Sequence, residues 1–391
     1  MFKNAVIVSA ARTAVGKFGG SLKDVSTIDL ATITVKAAIQ RAHIDANKVE
    51  ELILGCVGQY GLNPFLARVV ELKAGCSIES SGQTVNRLCA SGLQAIVTAA
   101  ACIDHGDNDV VVAGGSENMS SYPYSLSGAR WGMKMGNGSL TDDLLTALIE
   151  PMSGVPIGIT AENIAAKYGL TRQELDEYAF ESQKRAANAI AAGKFKEEIV
   201  PVEIKSKKET VLFDTDEHPR LTSLDKMLSL RPAFKQDGVV TAGNASGIND
   251  ASAALVLMSE KKAYELGCKP IARVVDYAVA GVDPAYMGLG PIASTRKLVE
   301  KSGIELKDIG LVELNEAFAA QALACIRELG LDPEIVNVNG SGISLGHPLG
   351  ATGAIISIKL INEMHRRNVK YGVSTLCIGG GQGMSALFEI M

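Results

Sequence analysis

The feature that most constrains the fold of this chain is a similarity between its two ends. NRLCASGLQAIV around Cys89 lies over ISLGHPLGATGAII around His347, and AGGSENMS lies over IGGGQGMS, at a spacing of about 260 residues. We interpret this repeat as an internal duplication that produces two similar α/β units packed back to back. A pseudo-twofold relation between the units would bring the two equivalent helix starts face to face.

Both ends of the chain alternate strand-like and helical segments. The strand-like segments are NAVIVSA, ELILGCV and DVVVAGG in the first half and IARVVDYAVAG, DIGLVELNEAF, EIVNVNG and GVSTLCIGGG in the second. The helical segments lie near 26–42 and 64–74, after Cys89, and over 292–302, 319–330 and 347–367. This alternation predicts a layered α/β fold with a mixed or parallel sheet.

The rhythm breaks in the middle of the chain, which defines three parts. We predict a first half over 1–120 that is completed by about 246–268, an inserted loop domain over 121–245 and a second half over 269–391. The insert carries a long helical stretch and a charged stretch from Lys205 to Arg220, of which Lys205 to Asp216 is predicted to be a solvated loop. A long insertion of this kind usually covers a site or binds part of a ligand.

Charge and cysteine content exclude several classes of protein. A net charge of −5 leaves no basic face for nucleic acid, and no segment is predicted to span a membrane. Seven cysteines without any CxxC pair predict neither a metal site nor a disulfide framework. Free thiols favour a reducing, cytoplasmic location.

Cys89 follows the strand-like TVN and opens a helix that is apolar on nearly every side. We predict that it lies in the first helical turn, where unpaired backbone N–H groups would stabilise a thiolate and an adjacent oxyanion. A lone cysteine in an apolar segment is more often a core residue, so a catalytic role requires partners.

His347 is the partner that the repeat places opposite Cys89. It directly precedes Pro348, which predicts that His347 is the N-cap of a helix whose dipole keeps the imidazole neutral. The remaining histidines lie among charged or turn residues and are predicted to be on the surface: His43, His105, His218 and His365.

Two further polar groups end strands at the same predicted edge of the sheet. Cys377 enters the turn GGGQG, and Asn315 begins NEAF. Either segment alone is a weak signal. The convergence of Cys89, His347, Cys377 and Asn315 at strand ends and helix starts indicates a catalytic site.

The motifs NRLCASGLQA, TAGNASGIND, NEAF, GHPLGATG and CIGGGQG, in this order, resemble those of the thiolase family of CoA-dependent enzymes. The resemblance runs from VIVSAARTAVGKFGG to the C-terminus. It implies the five-layered thiolase fold, with two duplicated βαβαβαββ halves and an inserted loop domain, assembled as a homotetramer. It also implies that coenzyme A is a substrate and product, with no permanently bound cofactor.

The resemblance implies a role for each catalytic residue. His347 would take the proton of Cys89, whose thiolate would attack acetyl-CoA, and Cys377 would remove the α-proton of a second acetyl-CoA. His347 and a water held by Asn315 would stabilise the enolate. The backbone N–H groups of Cys89 and Gly379 would form the oxyanion hole.

The resemblance assigns CoA binding mostly to the insert. Ser246 matches a residue that touches pantetheine, and Phe234 and Met287 match pocket-lining positions. Arg220 would contact the adenine and phosphate end, with Lys226 as its neighbour, although a generic surface charge explains both residues equally well. Glu316 would orient the NEAF turn.

The sequence departs from the pattern at Pro156 and Ile157, where family members that act on acetoacetyl-CoA usually carry His-Met. Ile157 would line the acyl pocket, so the change and NRLCASG favour longer 3-ketoacyl chains, whereas GARWGMKMGNG favours acetoacetyl-CoA. We favour the condensation of two acetyl-CoA over a broader 3-ketoacyl-CoA thiolase. A ketoacyl synthase would lack Cys377, a lipid-binding homologue would lose Cys89 or His347, and a hydrolase would not exclude water from the acyl-enzyme.

Overall fold

The structure is a computed structural model that describes residues 1–205 and 209–391. Its helices are α1 Thr27–Arg41, α2 Leu66–Ala74, α3 Ser91–His105, α4 Asp143–Ala147, α5 Gly158–Tyr168, α6 Arg172–Ala191, α7 Leu224–Leu228, α8 Glu260–Glu265, α9 Gly290–Ser302, α10 Ala319–Leu329, α11 Gly342–Leu345 and α12 Leu349–Arg367. Its strands are β1 Ala5–Arg12, β2 Gly16–Lys17, β3 Glu51–Gly55, β4 Ser81–Val85, β5 Val110–Asn118, β6 Tyr124–Leu126, β7 Leu140–Asp142, β8 Ile149–Glu150, β9 Val155–Pro156, β10 Val202–Lys205, β11 Thr210–Phe213, β12 Asn249–Ser259, β13 Ala272–Gly281, β14 Leu311–Leu314, β15 Tyr371–Ile378 and β16 Gln382–Ile390.

The main sheet repeats one pattern of strand pairing twice. Its order is β14-β15-β16-β13-β1-β12-β5-β3-β4. In the first half β1–β12 and β12–β5 are antiparallel and β5–β3 is parallel; in the second half β13–β16 and β16–β15 are antiparallel and β15–β14 is parallel. The halves meet where β1 pairs with β13. The predicted duplication is therefore confirmed.

Helices α3 and α12 lie together between the two half-sheets. One hydrophobic core contains both helices and the inner faces of both halves. Helices α1 and α2 cover the outer face of the first half, and α9 and α10 cover that of the second. These are the five layers that the resemblance implied, with α3 and α12 in the middle layer.

The middle layer explains an apolar segment that the sequence reading overlooked. Leu88–His105 is long and apolar enough, by length and composition alone, to cross a membrane. Our expectation that no segment would reach this level was wrong. Because α3 is packed against sheet and helix on several sides, it is apolar nearly all round, as a buried core helix is.

Glycines allow α3 and α12 to approach at their first turns. A Cβ atom at Gly92 would lie 2.8 Å from the Ala354 nitrogen, and one at Gly353 would lie 2.3 Å from the Leu93 nitrogen. On β5, a Cβ atom at Gly115 would lie only 2.0 Å from the Gly350 carbonyl oxygen. A side chain at these positions would push the two helix starts apart.

The segment EIVNVNG, which was predicted to be a strand, lies within the described residues and forms no strand. Only a single bridge joins Val336 to Val312. Asn337 has a φ of 49°, in the left-handed region, and its side-chain amide bonds the Leu314 nitrogen at 2.9 Å and the Leu314 oxygen at 2.8 Å. Backbone bonds therefore pair this segment with β14 only at Val312, and the Asn337 side chain satisfies the strand edge at Leu314.

The charged stretch of the insert is anchored in the interior. Asp216 is buried and accepts from the Arg12 guanidinium at 2.7 and 3.0 Å, and Glu198 accepts from the same group at 2.7 Å. The prediction of a solvated loop over Lys205 to Asp216 was therefore wrong at Asp216, and also at β11, which pairs with β10. Residues 206–208 of this stretch lie outside the described residues. Because a buried guanidinium requires anionic partners, these bonds hold the insert to β1.

Candidate active site

Cys89 lies in a tight turn just before α3. The helix begins at Ser91 with Ala90 as its N-cap, so the prediction that Cys89 occupies the first helical turn was wrong. Leu88 has a φ of 47°, which a branched side chain rarely adopts. Asn86 accepts from the Leu88 nitrogen at 2.9 Å, and the Ser91 hydroxyl donates to the Leu88 oxygen at 2.7 Å. These bonds hold a strained turn that presents the cysteine.

Two backbone N–H groups face the Cys89 sulfur. Burial raises the pKa of the Cys89 thiol to about 11, although bonds from the N–H groups of Gly379 and of Cys89 itself act in the opposite direction. The thiol is therefore protonated at neutral pH and needs a base. The structure brings together the two groups that were predicted to form the oxyanion hole.

Cys377 lies near the end of β15 and close to Cys89. It is fully buried. Burial raises the pKa of its thiol well above the ordinary value, and a charge on nearby Cys89 raises it further. The two sulfurs are thus close enough for the ionisation of one to oppose that of the other.

His347 is buried beside the first turn of α12. Pro348, not His347, is the N-cap, so the predicted capping position was wrong by one residue. Burial lowers the pKa of His347 to about 4, which keeps the ring neutral for a different reason from the predicted helix dipole. Its Nε2 atom lies 3.4 Å from Asn315 Nδ2, and Leu349 packs in an apolar cluster with Cys89.

Three buried side chains hold the backbone of the His347 loop. Glu316 accepts from the Ile343 nitrogen at 3.2 Å, Asn249 from the His347 nitrogen at 2.9 Å and Glu117 from the Gly350 nitrogen at 2.9 Å. Two of them, Asn249 and Glu117, were missed in the sequence. Both lie inside motifs that were noted in the sequence, TAGNASGIND and AGGSENMS, at the facing ends of β12 and β5. That position is the sequence feature that could have identified them.

Both carboxylates in this group are satisfied by several donors. Glu117 also accepts from the Val57 and Gly58 nitrogens at 2.9 and 3.0 Å and from the Tyr122 hydroxyl at 3.0 Å. Glu316 also accepts from Tyr178, Ser182 and Asn337, at 3.0, 2.7 and 3.0 Å. Burial raises the pKa of each carboxyl, while these donors favour its charged form.

Three of the pocket residues proposed from the resemblance lie in the hydrophobic cluster of the second half. Ile157, Phe234 and Met287 belong to the same hydrophobic cluster as Cys377. The Phe234 ring meets Phe318 edge-on, with centroids 6.2 Å apart. The Ser246 nitrogen donates to the Ala317 oxygen at 2.9 Å, which places Ser246 beside the NEAF turn.

Unlike the pocket residues, the two residues proposed to contact the phosphate end of CoA lie on the surface. Arg220 and Lys226 are exposed, and no bond joins either side chain to a catalytic residue in the described ranges.

The prediction that His218 is a solvated surface residue was wrong, because its Nδ1 is buried without a hydrogen-bond partner among the described atoms. Burial lowers the pKa of His218 to about 4.

No group of three or more potential metal ligands occurs within residues 1–205 and 209–391. The chemistry available is that of two thiols, one neutral imidazole and two backbone donors. Such a set can transfer an acyl group through a thioester on Cys89. The fold and the site together define an acyltransferase of the five-layered α/β type.

The chain belongs to the thiolase family. The thiolase N-terminal domain matches residues 5–261 and the thiolase C-terminal domain matches residues 268–390. The chain is 51% identical to an acetyl-CoA acetyltransferase of Syntrophomonas wolfei and 50% identical to the beta-ketothiolase BktB of Cupriavidus necator, each over 100% of both chains. The crystal structure of human mitochondrial 3-ketoacyl-CoA thiolase in complex with CoA has a TM-score of 0.96 and 41% identity, covering 100% of this chain and 98% of that one. These similarities support thiolase activity.

Proposed function

We propose that this thiolase reversibly condenses two molecules of acetyl-CoA to acetoacetyl-CoA and CoA through an acetyl-Cys89 intermediate. The observation that carries the proposal is a pair of neighbouring thiols, Cys89 and Cys377, with two N–H groups facing the Cys89 sulfur. The neutral imidazole of His347 precedes Leu349, which packs in one apolar cluster with Cys89. One cysteine alone could carry the acyl group. The second provides the acid and base that a carbon acid requires.

The first half-reaction forms the acetyl-enzyme. His347 Nε2 takes the thiol proton as the Cys89 sulfur attacks the acetyl carbonyl, and the N–H groups of Cys89 and Gly379 stabilise the tetrahedral oxyanion. The CoA sulfur leaves with the proton of Cys377. The site now holds an imidazolium at His347, a thiolate at Cys377 and an acetyl group on Cys89.

The second half-reaction forms the carbon–carbon bond. The Cys377 thiolate removes a proton from the methyl group of a second acetyl-CoA, and the enolate oxygen accepts from His347 Nε2–H and from a water held by Asn315. The enolate carbon attacks acetyl-Cys89. The Cys89 sulfur leaves and recovers its proton from His347, so every group returns to its initial state.

The site constrains the length of the acyl chain less than it constrains the type of reaction. The relatives include both an acetyl-CoA acetyltransferase and a beta-ketothiolase at nearly equal identity. Ile157 lies half-buried against the cluster that contains Phe234 and Met287. The alternative function is therefore that of a broader 3-ketoacyl-CoA thiolase, for which the branched Ile157 would leave a wider pocket.

We also propose a cytoplasmic homotetramer. Strand β4 ends the main sheet with an exposed edge, and Leu62, Phe65 and Ile78 are exposed apolar residues that precede it in the chain. The β6–β7 hairpin exposes a second apolar surface that includes Trp131, whose exposed fraction is 86%. Two such surfaces would form two different interfaces between subunits of a homotetramer. All seven cysteines are free, which suits a reducing compartment.

The test is thiolytic cleavage with free CoA of acetoacetyl-CoA and of a longer 3-ketoacyl-CoA. We expect the wild type to prefer acetoacetyl-CoA, Cys89→Ala to be inactive and the control Cys102→Ala, within the same α3 helix, to remain active. Preference for the longer chain would establish the alternative function. Steady release of CoA from acetyl-CoA without acetoacetyl-CoA would instead indicate a hydrolase.

A further inference from the structure

The His347 ring lies within hydrogen-bond distance of a threonine hydroxyl. Its Nδ1 atom lies 2.7 Å from the Thr352 hydroxyl, one turn along α12, and both side chains are buried. The same hydroxyl lies 2.8 Å from the Pro348 carbonyl oxygen. The position of the proton on the ring follows from these two distances.

A threonine hydroxyl carries one proton, and a carbonyl oxygen can only accept. Because the Thr352 proton is donated to the Pro348 oxygen, the Thr352 oxygen must accept from the ring. His347 Nδ1 therefore carries the ring proton, and Nε2 carries the free lone pair. The Asn315 Nδ2 donor, 3.4 Å from Nε2, is compatible with this tautomer.

A hydroxyl orients an imidazole without placing a negative charge beside it. A carboxylate at this point would stabilise the imidazolium, as in a Ser-His-Asp triad. The titratable groups around the loop are Cys89, Cys377, Glu117 and Glu316, and both carboxylates bond to backbone N–H groups of the loop and not to the ring. The ring is therefore free to return its proton.

We infer that Thr352 is a positioning residue of the catalytic site: its hydroxyl holds the His347 proton on Nδ1 and leaves Nε2 as the base for Cys89. This inference rests on the proposed function for its kinetic consequence. The tautomer itself is a property of the resting protein and can be measured without any substrate.

The test compares Thr352→Val, which removes the hydroxyl, with Thr352→Ser, which retains it. We expect Thr352→Val to lower kcat for thiolysis between about tenfold and a hundredfold with little change in KM, because a buried ring N–H loses its acceptor and the wrong tautomer becomes populated. Thr352→Ser should restore most of the activity. The control is Thr34→Val on α1, whose buried hydroxyl also bonds a helix carbonyl and a second side chain, that of Ser252.

The direct measurement is the nitrogen NMR spectrum of the protein labelled in its histidine rings, with the His347 signals identified by their loss in His347→Asn. We expect protonated Nδ1 in the wild type and in Thr352→Ser. Protonated Nε2 in the wild type, or equal kcat for wild type and Thr352→Val, would overturn the inference. If the wild type lacks thiolysis but has protonated Nδ1, the proposed function fails while the assignment to Thr352 stands.

Discussion

Replacing Gly115 by alanine should separate the two helix starts that border the proposed active site. The new Cβ atom would lie 2.0 Å from the Gly350 oxygen, whereas ordinary contact begins at 3.4 Å, so the atoms must separate by 3.4 − 2.0 = 1.4 Å. Strand β5 is paired on both sides, with β12 and β3. The start of α12, three residues after His347, is therefore the part that moves.

The displacement sets the expected magnitude. A misplacement of about 1 Å in a catalytic group can cost on the order of a hundredfold in rate, and overpacking of a core typically costs about 1–3 kcal/mol of stability. We expect Gly115→Ala to remain folded, with a lower unfolding temperature, and to lose about a hundredfold in kcat for thiolysis. Thermal unfolding and steady-state kinetics on the same preparation measure both effects.

A matched control is available on β13. A Cβ atom at Gly281 would have the Gly381 oxygen as its nearest neighbour, 4.0 Å away, so Gly281→Ala should leave kcat and stability unchanged. Wild-type kcat in Gly115→Ala would refute the reasoning. A loss of activity that only parallels the loss of folded protein would refute it as well, because the predicted effect is a misplacement of His347 within a folded protein.

Two further predictions concern the thiol and the pocket. Because burial raises the pKa of Cys89 to about 11 and lowers that of His347 to about 4, both groups are neutral between these values. The difference in thiolate absorbance between wild type and Cys89→Ala should therefore be negligible at neutral pH and rise only as the pH approaches 11. A full thiolate signal at pH 6 would contradict this expectation. Ile157→Met should raise the preference for acetoacetyl-CoA over a longer 3-ketoacyl-CoA about tenfold, since a longer side chain narrows the pocket. An unchanged ratio of kcat/KM values would show that Ile157 does not line it.

Local pattern was sufficient to identify the main parts of this protein. The duplicated, layered α/β fold followed from the alternation of strands and helices, the five-layered arrangement followed from the resemblance of the motifs to the thiolase family, and both are confirmed. Cys89, His347, Cys377 and Asn315 were named from residue type and from their places at strand ends and helix starts, and Gly379 was named from the resemblance to the thiolase family. Their catalytic roles stay predictions, although the structure gathers them in one buried site.

The sequence-based predictions were wrong where a helix start shifts by one or two residues, or where a contact distant in sequence decides whether a residue is buried. Cys89 and His347 lie just outside their helices because a strained Leu88 and the N-cap Pro348 begin those helices later than the apolar pattern suggests. Asp216 was assigned to solvent because its partner, Arg12, is 204 residues away in the chain. A sequence pattern carries no information about such a pairing.

The sequence by itself determined which reactive groups this protein has and on which elements they lie, because hydrophobic period and turn chemistry are local properties. The tertiary structure alone decided how those groups are held. Glu117, Asn249 and Thr352 act on His347 through bonds that form only when the two halves pack together or α12 is in place. The burial that keeps thiols and imidazole neutral is likewise a product of packing, since desolvation depends on every layer around the site.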